Sequence, residues 1–130
     1  MSRPSPASVL RHRGPALLLE AVEALEDGAL RCRSSHAGSW TWPRVLEGAA
    51  QTAGLLAGLQ PGGVTNAAVI AEYRGVVIHA PAHEGPIHFH AHVERRLLRF
   101  WRCRVAARAP DTRLLLEASV TLAPGRGTAP

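Results

Sequence analysis

A chain of 130 residues with 46% hydrophobic and 19% charged side chains is long enough for one globular core and too short for two. All fifteen basic residues are Arg, which excludes Schiff-base lysine chemistry and the phosphate-binding lysine of a P-loop. The net charge of +5 calls for an acidic partner, but two Phe, one Tyr and three Trp without a recognition motif argue against nucleic acid.

Met1 to Ser8, with Pro4 and Pro6, reads as a disordered tail, and Pro124 to Pro130 as a second one. One domain is expected between them, over 9–123. Ala16-Leu-Leu-Leu19 is too short for a signal-peptide core. Leu17 to Leu25 and Ala29 to Ser35 read as strands joined by a Gly-containing turn at Glu26-Asp27-Gly28. In the second strand Leu30 and Cys32 point one way and Arg31 and Arg33 the other.

Trp42-Pro43 opens a helix, with Thr41 as its cap, which runs to about Leu59 and stops at Pro61-Gly-Gly63. Its many Gly and Ala residues make it slender enough for close wrapping by a curved sheet. The uncharged stretch from Gly48 to Ala71 is broken by Gln51, Gln60 and the Pro-Gly-Gly stop, so it cannot span a bilayer as one helix. No membrane partner is expected, and the default is a cytoplasmic location.

Beyond the helix, Ala67 to Ala71 and Tyr73 to Ile78 precede three long alternating runs. Ile87, Phe89, Ala91 and Val93 oppose His88, His90 and His92. Trp101, Cys103, Val105 and Ala107 oppose Arg102, Arg104 and Arg108. Leu114, Leu116, Ala118, Val120 and Leu122 oppose Leu115, Glu117, Ser119 and Thr121. Each strand has one buried and one largely polar face, as in an antiparallel sheet covered on one side. The order of strands and helix makes the fold α+β.

Glu47 is the only carboxylate between Asp27 and Glu72, set in a small-residue, otherwise apolar helical run. Desolvation there raises a carboxyl pKa toward what a general acid or base requires. The alternative is a solvated Glu favoured by the start of the helix dipole. Gln51, one turn on, shares its face and can orient it. Cys32 and Cys103 lie in alternating strands outside any Cys-x-x-Cys pattern and read as small core residues. The His88, His90 and His92 row can bind metal only if a neighbouring strand adds ligands, so it reads as a solvated or oligomer-contact row.

Three local segments add a resemblance. Leu10-Arg-His-Arg-Gly-Pro-Ala-Leu-Leu-Leu-Glu-Ala-Val22, Val45-Leu-Glu-Gly-Ala-Ala-Gln51 and Tyr73-Arg-Gly-Val-Val-Ile78 resemble, in that order, the opening, the helix motif and the Phe-Arg-x-x-Val strand of the hotdog-fold hydroxyacyl-acyl-carrier-protein dehydratases. The resemblance spans Leu10 to Leu122. It implies a hotdog fold, with a curved antiparallel sheet wrapped around a long central helix, and a dimer of like or unlike hotdog subunits.

It also implies an acyl tunnel at the subunit interface, with His36 and Glu47 catalytic and drawn from opposite subunits. Gly48, Gln51, Trp40 and Trp42 then lie toward the substrate, although the two Trp residues serve equally as packing anchors. His12 falls in the opening motif in a structural role. Dehydration of a β-hydroxyacyl thioester needs a base for the proton beside the carbonyl and an acid for the departing hydroxyl, which a His of pKa about 6.5 and a desolvated Glu supply. Backbone N–H groups at the helix start suit the negative charge on the thioester oxygen. No cofactor is expected beyond the phosphopantetheine that carries the substrate on acyl carrier protein. The Arg95, Arg96, Arg99, Arg102, Arg104 and Arg108 hairpin suits that carrier's acidic surface, or is a solvated strand face.

The sequence departs from the best-known members at His36-Ala-Gly-Ser-Trp40, where they carry His-Phe-Pro-Gly, and so looks closer to the divergent branch associated with polyene-type lipid pathways. Two further functions stay open: a hotdog thioesterase in which Glu47 activates water or attacks the thioester, and a non-catalytic subunit that completes another hotdog protein's dimer.

Overall fold

The structure is a computed structural model that describes residues 3–6, 10, 17–34, 38–60 and 68–124, leaving aside the side chain of residue 68. The main sheet is antiparallel and has six strands: β1 (Leu19–Glu26), β2 (Ala29–Ser34), β4 (Ala68–Ile78), β6 (His88–Leu97), β7 (Phe100–Arg108) and β8 (Leu114–Pro124). Their spatial order is β1-β2-β6-β7-β8-β4. Two short strands, β3 (Ser39–Thr41) and β5 (Ala82–Glu84), form a separate antiparallel ribbon. Between β3 and β4 runs the helix α1 (Trp42–Leu59).

The alternation read from the sequence decides which face of the sheet meets α1. Leu30, Cys32, Phe89, Ala91, Cys103, Val105, Ala107, Leu116, Ala118, Val120 and Leu122 all point inward and join one core with Ala49, Ala53, Leu55, Leu56 and Ala57 of the helix. The small helix residues let the sheet approach closely, most of all at Gly48. A Cβ placed there would stand 2.4 Å from the tip of the Phe89 ring, and Phe89 cannot retreat. It is fully buried and packs edge-on against Trp40, with ring centroids 6.0 Å apart.

Trp40 is itself held by a hydrogen bond from its indole N–H to the Gly85 carbonyl (3.0 Å). The β3–β5 ribbon therefore clips the start of α1 to the sheet, and Trp42 N–H, donated to the Pro81 carbonyl (3.0 Å), closes the clip.

Several expectations change. Thr41 occupies the N-cap position with an extended backbone, but its hydroxyl makes no capping bond. The two runs over 67–78 are one strand, β4, interrupted by register shifts, one of which carries Gly75 at a φ of 58°. The first of the three alternating runs, Ile87 to Val93, extends past Val93 to Leu97 across another register shift. Pro6, assigned to the first tail, is buried, and its carbonyl accepts a hydrogen bond from Leu10 N–H (2.9 Å). Among the described residues no helix is long and apolar enough to cross a membrane.

Candidate active site

Glu47 lies in the second turn of α1, on the flank of the helix left uncovered by the sheet. It is exposed on the single chain, so the desolvation expected from its apolar neighbours in sequence is absent there. Those neighbours face other sides of the helix: Val45, Gly48, Ala49 and Ala50 are buried. What the structure supplies instead is positioning. The Gln51 side-chain N–H donates to the Glu47 carboxylate (3.3 Å), and the Gln51 carbonyl oxygen accepts from the backbone N–H of Leu18 (2.8 Å).

Gln51 is 2% exposed, and its amide can be oriented in only one way. Leu18 N–H requires an acceptor, so the carbonyl faces Leu18 and the NH₂ is turned toward the carboxylate. The i, i+4 relation was legible in the sequence. The anchor on Leu18, a contact across the chain, was not.

A second neighbour escaped the sequence reading as a functional residue. Tyr73 of β4 lies within electrostatic reach of Glu47, and its phenol is pushed above the usual value, first by burial and then by the Glu47 charge. The only available signal was its place in the third motif. β4 is an edge strand, and beside Tyr73 it leaves Val69, Val77 and Ile78 substantially exposed. Glu47 therefore sits near exposed apolar side chains of a strand that, among the described residues, pairs on one side only.

The other expected site residues separate. His36 and His12 lie outside the described residues. Trp40 is buried in the core, in the packing role that the sequence left open for it. Trp42 is partly exposed at the first position of α1. Gly48 is filled on its open side by Phe89. Gln51 and Glu47 are brought together.

On the far side of the sheet from α1, His88 Nδ1 meets the Glu23 carboxylate (2.6 Å), which also faces Arg31 (3.7 Å). Glu117 accepts from both Arg104 and His79, and these bonds hold its carboxyl below the usual range. Two open depressions of about 260 and 310 Å³ flank His90 and His92 on this face, away from Glu47. Burial, then the charges of Arg108, Arg31 and His88, hold the His90 imidazole below its ordinary value, with Glu23 opposing. Among the described residues no group of three or more potential ligands is arranged to hold a metal ion. The two thiols, both fully buried, are each pushed up to about 12.

A helix of this length wrapped by a sheet of this strand order has counterparts among solved structures. A chain of the dehydratase heterocomplex ApeI:P from Xenorhabdus doucetiae superposes with a TM-score of 0.81 at 15% identity, over 98% of this chain and 95% of that one. This chain has the hotdog fold. A hypothetical thioesterase from Streptococcus pneumoniae, solved with coenzyme A, matches at a TM-score of 0.63 and 13% identity, over 78% of this chain and 82% of that one. The thioesterase HI1161 from Haemophilus influenzae matches at 0.66 and 14%, over 82% and 78%. At these identities the likeness is one of fold. No protein-family model and no curated protein matches the sequence. Hotdog proteins of this shape thus include both a dehydratase complex and thioesterases.

Proposed function

We propose that this protein works on β-hydroxyacyl thioesters carried by acyl carrier protein, as a dehydratase subunit of fatty acid or polyene-type lipid biosynthesis. The observation that carries the reading is the Leu18–Gln51–Glu47 relay, which presents one oriented carboxylate from the central helix beside an apolar sheet edge. A second hotdog subunit, of like or unlike sequence, continues the sheet across β4, covers Val69, Tyr73 and Val77, and removes water from Glu47. The desolvation lacking on the single chain then comes from the partner.

In that site His36 and Glu47 divide the proton work. One takes the proton from the carbon next to the thioester carbonyl. The other gives a proton to the departing β-hydroxyl, so that water and the conjugated thioester leave. Negative charge gathers on the thioester oxygen, and N–H groups of the first turn of α1 face it. Trp42 N–H is already committed to Pro81 and Pro43 has none, so the next donor along the chain is Arg44. Trp42, partly exposed at the same helix end, flanks the acyl chain, and no cofactor takes part beyond the carrier's phosphopantetheine.

The exposure of Glu47 favours a second reading, in which the carboxylate activates water and the protein is a thioesterase. The heterocomplex among its structural neighbours favours a third, in which the chain completes another subunit's site without catalysis of its own. Mass spectrometry of β-hydroxyacyl carrier protein incubated with the protein separates them. Loss of one water, abolished in Glu47→Gln and His36→Ala, supports the dehydratase. Free acid released despite His36→Ala indicates hydrolysis, and activity only when a second hotdog subunit is added indicates a partner role.

A further inference from the structure

The tip of the β6–β7 hairpin is built against the ordinary preferences of a soluble surface. Leu97 pairs with Phe100 at its end, and the two-residue turn between them is Leu98-Arg99. Leu98 is 93% exposed, Leu97 50% and Phe100 43%. Leu98 also holds a φ of 54°, a left-handed conformation that suits Gly, Asn or Asp and strains a branched apolar residue. No packing explains a Leu there, because almost nothing touches it. A residue kept in strain and in water points to a use outside the chain's own fold.

Around these three apolar side chains stand Arg95, Arg96, Arg99 and Arg102, with no acidic residue anywhere from Arg95 to Arg102. Glu94, at the base, is turned away and accepts a hydrogen bond from the Ser119 hydroxyl (2.7 Å). The Arg96 guanidinium lies over the Trp101 ring, 4.4 Å from its centroid. Between Arg95, Leu97, Phe100, Arg102 and Thr121 is a dimple of about 30 Å³. The two buried side-chain polar atoms with no hydrogen-bond partner among the described residues, Arg102 Nε and the Thr121 hydroxyl, belong to residues that line it.

We propose that this hairpin tip seats on an anionic lipid surface, with Leu97, Leu98 and Phe100 entering the acyl boundary while Arg95, Arg99 and Arg102 meet lipid phosphates. The chemistry required is phosphate oxygen and hydrocarbon at one boundary. A phospholipid interface presents both, and long Arg side chains reach its headgroups while their stems stay in the apolar layer. An acidic protein would supply the charge. It would also need a concavity to receive a convex turn, and roughly 1,000 Å² of shared surface for a specific complex; a bilayer needs neither. The contact is peripheral and does not depend on the dehydratase reading. It needs no membrane-crossing helix, and none is present among the described residues.

Sedimentation of the full chain with vesicles tests it. Vesicles of phosphatidylcholine containing phosphatidylglycerol should carry the protein down, pure phosphatidylcholine should carry far less, and added salt should release it. Leu98→Asp should cut partitioning about tenfold or more without unfolding the chain, since Asp tolerates the turn conformation. Arg95→Ala and Arg99→Ala should each cut it about fivefold. Arg113→Ala makes the same change of charge in the β7–β8 connection at the other end of the sheet, and should leave binding intact. The proposal is overturned if the full chain ignores anionic vesicles, if Arg113→Ala weakens binding as much as Arg99→Ala does, or if Leu98→Asp binds normally. It is equally overturned if these arginines bind an acidic acyl carrier protein while vesicles are left untouched.

Discussion

Strand β6 begins and ends in opposite surroundings. Near its start Phe89 is 0% exposed, wedged between Gly48 of the helix and the edge of Trp40. At its end Leu97 and the adjoining Leu98 stand in water. The same kind of side chain serves the fold at one end and is superfluous to it at the other. Hydrophobicity alone therefore does not mark a core position. Coverage by α1 does, and the strand outruns the helix that covers it.

That contrast fails if the two ends respond alike to truncation. Phe89→Ala should cost about 3–5 kcal/mol of unfolding free energy, because the Trp40 ring and the helix cannot both collapse into the space left. Leu98→Ala should change stability by no more than ~0.5 kcal/mol in either direction, as expected of an exposed site. Urea denaturation of both variants checks the pair, and a cost at Leu98 comparable to that at Phe89 would contradict the exposure of Leu98. Gly48→Ala should fall between them. It gains about 1 kcal/mol of helix propensity but forces apart a ring contact that has no slack, so a net loss of about 1–3 kcal/mol is expected.

The same coverage argument explains how much was readable from residues alone. Period-two alternation matches the inward faces of β7 and, from Leu116 on, of β8, because each is long enough to show the period several times; at the start of β8 it fails, since Leu115, expected on the polar face, is buried and Leu114 only partly so, next to a register shift. The β3–β5 ribbon was not readable, since three residues carry no period, and it is the ribbon that buries Trp40. In β6 the alternation ends at Val93, because a register shift breaks it just where the arginines begin. At the site, Glu47 and Gln51 were legible together from their four-residue spacing. Leu18 and Tyr73 reach them only through the tertiary fold, and the sequence carries no local trace of that contact. The sequence left Glu47 open between a desolvated and a solvated carboxylate, and its exposure on the single chain has a related reason: apolar neighbours along a helix surround a side chain only if they share its face.

The two faces of the sheet differ as sharply as the two ends of β6, and titration separates them. Inside, the Cys32 and Cys103 thiols pushed up to about 12 should resist a disulfide reagent at pH 8 until the chain is unfolded; rapid labelling of the native protein would place one of them outside the core. Outside, His90 is held below its ordinary value, so the unfolded chain binds its proton first. Stability should then decline as pH falls below about 6.5, the unfolded value, and His90→Gln should flatten that decline. Glu117, held below the carboxylate range by His79 and Arg104, contributes stability that is present above the unfolded value of about 4.3 and lost as pH falls through its lower folded value. Glu117→Gln should remove that second, more acidic step and leave the first unchanged. Denaturation midpoints measured across this range distinguish the two steps.

The smallest expected effect is a gain. Leu98→Asn keeps the hairpin and replaces a strained residue with one that accepts a left-handed φ, so the fold should gain up to about 1 kcal/mol. A core position could not behave in this way, because removing buried Leu atoms always loses transfer energy. If Leu98→Asn instead destabilises the isolated chain, then the turn side chain has a partner within the fold and the contrast between the two ends of β6 is wrong. If it stabilises, the natural Leu is kept at a cost to folding, as expected of a residue whose contacts are made with something other than its own chain.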